Sequence, residues 1–185
     1  MSTPPFRVLF VCTANICRSV MAEHLLRREA AARDIDLEVT SCGLLFDGEP
    51  ASDTVIAVLD ERGLDVREHR SRKFEPSMLD GIDLVLTMER RHVREITAAH
   101  DEASARVHTF GAFVTWSRTD PPGAAAIDPR ERVARFAAAR RASDLLGNGD
   151  DEVEDPHGRS KRVHRKTAER IEDLCRGLVD GLFAG

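Results

Sequence analysis

The sequence predicts an α/β fold, a parallel sheet with helices on both faces. Three observations point there. Two early segments of strand length, 6–12 and 36–42, flank a helical stretch; a third apolar run, 82–88, follows Gly81; and a long amphipathic segment ends the sequence.

Taken in order, residues 6–12 form an apolar run suited to a buried strand, and Ser19 to about Arg33 carries Met21, Ala22, Leu25 and Leu26 on one helical face. Residues 36–42 alternate as a second strand. A turn-rich stretch with Gly43, Gly48 and Pro50 follows, and Ser52 or Asp53 then caps a helix that stops at Gly63. Residues 82–88 read as a strand, 89–99 as a charged helix and 105–110 as a weaker strand. From Gly111 to about Asp151 the character changes. Thr119-Asp120-Pro121-Pro122-Gly123 is a turn cluster, and 147–152 is a polar loop. Between them, residues 128–146 read as one Ala/Arg-rich helix with Val133, Phe136 and Leu145 as a sparse apolar side. Ser160 to Phe183 is amphipathic, with Ile171, Leu174, Leu178 and Leu182 sharing a face. One domain spanning 1–185 is expected, with 111–150 as an extended loop and helix segment.

Composition excludes some functions. Lys and Arg number 27 against 32 Asp and Glu, a net charge of −5, so no global basic field suits nucleic acid or an anionic membrane. An anion must then be held by a local positive site. The apolar run 8–12 is far too short to span a bilayer, and no export signal is expected. Four cysteines (Cys12, Cys17, Cys42 and Cys175) are too few for a disulfide scaffold and suit a reducing cytoplasm. Seven histidines show no His-x3-His pair, and the cysteines no Cys-x2-Cys pair, so no metal site is expected.

The chemistry concentrates in Val11-Cys12-Thr13-Ala14-Asn15-Ile16-Cys17-Arg18-Ser19, where five residues separate Cys12 from Arg18. Placement matters more than spacing. A loop leaving a parallel strand for a helix presents backbone N–H groups to an anion, and the helix N-terminus adds positive potential. That field favours the thiolate of a cysteine in the loop. Arg18 adds a planar fork that matches two phosphoryl oxygens. The plain alternative, a buried strand-end thiol and an early-helix surface cation, explains the spacing but not the setting.

The run from Val8 to Ser19 resembles the signature of the low-molecular-weight protein tyrosine phosphatases. The likeness continues through Ser41-Cys42-Gly43, His69-Arg70-Ser71-Arg72 and Asp83 to Glu89, and resumes at Glu154-Asp155-Pro156. It implies a four-stranded parallel sheet with helices on both faces and the phosphate-binding loop after the first strand. It also implies a phosphomonoester hydrolase, foremost a protein-tyrosine phosphatase, acting on a phosphorylated protein or small phosphomonoester, without metal or cofactor. Cys12 would attack phosphorus and form a cysteinyl-phosphate. Arg18 and the backbone amides of Thr13, Ala14, Asn15, Ile16, Cys17 and Arg18 would hold the phosphoryl oxygens. Asn15 would hold the loop in its turned conformation, though an ordinary turn residue fits that position equally. Ser19 would donate to the Cys12 sulfur, and a helix N-cap is compatible with that role.

An acid is also required. Three Asp-Pro pairs exist, at Asp120, Asp128 and Asp155, and each suits the start of a turn or helix. The resemblance favours Asp155, a few residues before the last helix. Cys17 is either a redox partner for Cys12 or a small buried thiol under the loop. Cys42 and Cys175 read as structural. The sequence has no tyrosine, and His157-Gly158-Arg159 follows the acid motif, which leaves Phe46 as the expected aromatic wall for a substrate ring and Trp116 as a core residue. Arg70 and Arg72 are weak candidates for phosphate contact. The sequence also admits two other readings: arsenate reduction on the same fold, for which residues 80–110 contain no resolving cysteine, and a noncatalytic phosphate-binding module.

Overall fold

In the computed structural model, which describes residues 4–119, 128–146 and 149–183, four strands lie parallel in the order β2-β1-β3-β4. Strand β1 (Phe6–Cys12) pairs with β2 (Leu37–Gly43) along its whole length, from Phe6 opposite Leu37 to Cys12 opposite Gly43. On its other side it pairs with β3 (Leu84–Thr87), Val8 opposite Leu84, and β4 (Val107–Thr109) completes the edge beside β3. The chain passes from β1 to β2 on one side and returns to β3 on the other. The carboxyl ends of β1 and β3 therefore border the crevice where such sheets place their ligands.

Alternation along β1 sends its side chains to two cores. Val8 and Phe10, with Leu84 and Leu86, meet α1 (Arg18–Ala32), α2 (Asp53–Asp60), α4 (Phe110–Thr119) and α6 (Lys161–Phe183). Leu9 and Val11, with Val85 and Val107, meet Val93 and Ile96 of α3 (Arg90–Ala99). Buried on both faces, the central strands are almost uniformly apolar. The α/β sheet with helices on both faces is as the sequence predicts. Ser52 caps α2, its hydroxyl accepting from the Val55 N–H at 3.4 Å.

The region after Gly111 differs from expectation. Phe110 does not end a strand but opens helix α4, which buries Phe110, Phe113, Val114 and Ser117. Its support is tertiary: Gly177 and Gly181 of α6 lie so close to Val114 and Ser117 that a Cβ at either would stand 2.6 or 2.5 Å from them. The helix expected over 128–146 is also broken. Helix α5 (Pro129–Ala139) begins at Asp128, whose carboxylate accepts from Arg130 N at 2.7 Å. It stops at Arg140, which turns extended (ψ 133°) and bonds the carbonyls of Val107 and Ser104. A short 3-10 turn, Ala142–Leu145, follows. Cross-links to β4 thus override the helical propensity of the Ala/Arg run. Of the polar loop expected at 147–152, residues 147 and 148 lie outside the described residues, as does Asp120.

Candidate active site

Cys12 is the last residue of β1, and the loop after it curls over the N-terminus of α1. Asn15 makes the curl possible. Its φ is +54°, in the left-handed region that asparagine tolerates better than most residues, and its side chain is fully buried. The amide Nδ2 donates to Ser19 Oγ at 2.9 Å and to Ser41 Oγ at 2.8 Å, and Oδ1 accepts from Arg72 N at 2.9 Å. His69 Nε2 donates to the Asn15 carbonyl at 2.8 Å. At Gly43, a Cβ would lie 2.7 Å from both Ala14 C and Asn15 N, so only glycine allows β2 to run this close beneath the loop.

Around the sulfur, Asn15 N donates to Cys12 Sγ at 3.2 Å and Ser19 Oγ stands 3.0 Å away. Because Ser19 Oγ already accepts from Asn15, its own proton is free to point at the sulfur. Arg18 is 1 % exposed and held from several sides. Nη1 donates to Glu89 Oε1 at 2.6 Å and to the Val153 carbonyl at 3.0 Å; Nη2 donates to Asp155 Oδ2 at 2.8 Å. Asp155 Oδ1 accepts from His157 N at 3.1 Å, so its carboxylate is fixed at the mouth. Cys12, Arg18 and Asp155 therefore border one cavity of about 240 Å³, whose remaining wall is largely apolar: Ala14, Ile16, Leu45 and Phe46.

Glu89 was not singled out by the sequence reading, although it bridges two arginines. Burial pushes its carboxyl up, but hydrogen bonds from Arg91 and Arg18 outweigh that and bring it to about 2. Its position just past the carboxyl end of β3, next to the switch point, is the signal that marks it. Arg91 Nη2 also donates to Thr13 Oγ1 at 2.6 Å, and His92 Nε2 lies 3.1 Å from the same oxygen. Burial pulls His92 down to about 4, so it is neutral at pH 7. Ser41 and His69 are the other supports that the resemblance marked without a role.

The remaining candidates sort clearly. Cys17 borders the same cavity, and its Sγ lies 3.5 Å from Ser52 Oγ. Burial pushes its thiol up to about 11, against the pull of the Ser52 hydroxyl. Cys42 and Cys175 are buried away from the cavity, burial pushing Cys42 up to about 12 and Cys175 higher still. All four thiols are free. Phe46 is 47 % exposed and lines the cavity. Trp116 packs on Phe113 and Phe136, away from Cys12. The Arg72 guanidinium bonds the Ser41 carbonyl behind the loop and Arg70 bonds the carbonyls of Arg67 and His69, so neither faces the cavity. Among the described residues, no helix is long and apolar enough to cross a membrane, and no group of three or more His, Cys, Asp or Glu side chains is placed to hold a metal ion.

Comparison with known proteins identifies a family. A protein-arginine-phosphatase of Geobacillus stearothermophilus is 35% identical over 179 residues, 96% of this chain and 97% of its own. The Escherichia coli low molecular weight protein-tyrosine-phosphatase Etp is 31% identical over 137 residues, 74% of this chain and 88% of its own. The crystal structure of a low molecular weight protein tyrosine phosphatase from T. tengcongensis superposes with a TM-score of 0.73 at 32% identity, covering 94% of this chain and 97% of that one. Residues 7–129 match the family described as low molecular weight phosphotyrosine protein phosphatase, a match that holds the Cys12 loop but ends before Asp155. The chain belongs to the low-molecular-weight phosphotyrosine protein phosphatase family.

Proposed function

We propose that this phosphatase hydrolyses aryl phosphates, phosphotyrosine in proteins foremost, through a phosphocysteine on Cys12. The observation that carries the reading is the meeting of Cys12, Arg18 and Asp155 on one small cavity, with the Ser19 hydroxyl 3.0 Å from the sulfur. In the first step the Cys12 thiolate attacks phosphorus while Arg18 and the loop amides hold the phosphoryl oxygens. The P–O bond to the leaving group breaks, and Asp155 gives that oxygen a proton. In the second step water attacks the phosphocysteine, Asp155 takes its proton, and the P–S bond breaks to return the thiolate. The Ser19 hydroxyl stabilises that thiolate as it leaves. Glu89 keeps the Arg18 fork in place throughout.

Leu45, Phe46 and Ile16 favour a flat apolar leaving group such as a phenol. A second reading, phosphoarginine, is favoured by the arginine phosphatase that matches nearly the whole chain. Against it, the wall beside the loop offers a guanidinium few acceptors beyond Asp155. Arsenate reduction lacks support of either kind. The free thiols, and Cys17 beside Cys12, fit a reducing cytoplasm with an oxidative off switch at the loop.

Peptides carrying phosphotyrosine, phosphoarginine or phosphoserine, assayed with and without the Cys12→Ala substitution, test this. The phosphotyrosyl peptide should show the highest kcat/KM, and Cys12→Ala should abolish turnover of all three. Higher kcat/KM on phosphoarginine would replace the first reading with the second.

A further inference from the structure

A second cavity, of about 450 Å³, opens beside β4 where α4 and α5 face the segment leading to Asp155. It is larger than the catalytic one and shares no lining residue with it. Its floor is aromatic and apolar: Trp116 and Phe136, with ring centroids 5.1 Å apart, and Ala112. Arg132 stacks over the Trp116 ring, 5.4 Å from its centroid, and so helps to hold that ring in place.

The wall opposite contains Arg140, a half-buried cation whose hydrogen bonds, among the described residues, go to neutral acceptors. Its guanidinium donates to the Val107 carbonyl at 2.6 Å, to the Ser104 carbonyl at 3.0 Å and to His108 Nδ1 at 2.8 Å. His108 Nε2 donates to the Ala105 carbonyl at 3.1 Å, which leaves Nδ1 as a bare acceptor and the ring uncharged. The cavity's carboxylates are committed elsewhere or exposed. Asp151 bonds Arg90 and Thr109, Asp144 bonds Arg141, and Asp150 faces water. A guanidinium has five N–H donors, and three of these now meet neutral acceptors. A cation taken partly out of water, with no carboxylate in ion-pair contact among the described residues and only a longer-range attraction from Asp144, favours an incoming anion. The volume falls in the range of small-molecule sites, and aromatic rings offer their faces to a flat ligand.

We propose that this cavity binds a small planar aromatic carboxylate, its ring against Trp116 and Phe136 and its carboxylate on Arg140. The site is independent of the catalytic assignment. Asp151, on its wall, stands four residues before Asp155, so the ligand touches the segment that carries the acid.

Trp116 is the only tryptophan and the sequence has no tyrosine, so the protein's emission under tryptophan excitation reports this cavity directly. Phenylacetate is titrated into the full-length protein in saturating inorganic phosphate, which occupies the Cys12 loop, and phenylacetamide serves as the uncharged match. Phenylacetate should produce a saturable change in Trp116 emission with Kd in about the millimolar range, as expected for so small a probe. Phenylacetamide should bind about tenfold more weakly. Arg140→Gln should remove that difference, and Ala112→Leu, which fills the floor, should remove binding of both, with circular dichroism confirming each fold. The proposal is overturned by no saturable change with phenylacetate, by equal affinity for the two probes, or by binding that survives in folded Ala112→Leu. Should Arg140→Gln not fold, the acid–amide comparison on the unaltered protein decides alone.

Discussion

Replacing Asn15 with alanine should cost more stability than almost any other change at the loop. The side chain is fully buried and makes three hydrogen bonds, two to serine hydroxyls and one from Arg72 N, at 2.8 to 2.9 Å. At about 1 kcal/mol each they sum to about 3 kcal/mol. Alanine must also hold a φ of +54°, which adds about 1 kcal/mol. Asn15→Ala should therefore lose about 4 kcal/mol in urea unfolding, read as a lower midpoint at an unchanged m-value. Asn15→Gly loses the same bonds without the backbone penalty and should recover about 1 kcal/mol of that. Turnover should fall in both, because Ser19 is no longer directed at Cys12 by the Asn15 amide. Stabilities within about 1 kcal/mol of the parent, or alanine no worse than glycine, would refute the assignment of Asn15 as the strut of the loop.

Asp155→Asn should lower kcat by about 100-fold or more on alkyl phosphates and much less on activated aryl phosphates, read from a leaving-group series; equal losses across the series would remove Asp155 from proton transfer. Burial holds His92 at about 4 and His108 at about 3, below the unfolded value near 6.5. The unfolded chain then binds protons that the folded one refuses. Through these two rings stability falls below about pH 6.5 by up to about 2.7 kcal/mol per pH unit, and His24, also pulled down by burial, adds to that fall. His108→Gln should lower the slope by up to about 1.4 kcal/mol per pH unit in denaturant titrations at pH 6.5 and 5. Flat stability over that interval would contradict the two buried neutral rings. Peroxide should inactivate the enzyme reversibly, with dithiothreitol restoring activity, and irreversibly in Cys17→Ser; identical recovery in both would leave Cys17 a packing residue.

Much of the site was legible because its parts lie close together in sequence. Cys12, Arg18 and Ser19 share one strand–loop–helix unit, and local physics alone explains why an anion binds there. The supports of the loop were harder to see. Ser41, Arg72 and Glu89 reach it from β2, the following loop and the end of β3, and only the strand order β2-β1-β3 brings them together. The region after Gly111 was misread for a related reason. Helix α4 depends on Gly177 and Gly181 more than sixty residues away, and the break at Arg140 depends on carbonyls of Ser104 and Val107. Neither partner leaves a trace in the local periodicity. Asp155 stood between these cases: its Asp-Pro pair is locally ordinary, and what distinguishes it from Asp128 is the 2.8 Å contact with Arg18.

The central claim is that phosphorus passes through the Cys12 sulfur. The direct measurement is rapid acid quench of the Asp155→Ala enzyme during turnover of an aryl phosphate, followed by peptide mass spectrometry. The account predicts one phosphoryl group on the peptide carrying Cys12, accumulating before product release and absent when Cys12 is alanine. A phosphoryl group on any other residue, or full turnover with Cys12→Ala, would contradict it.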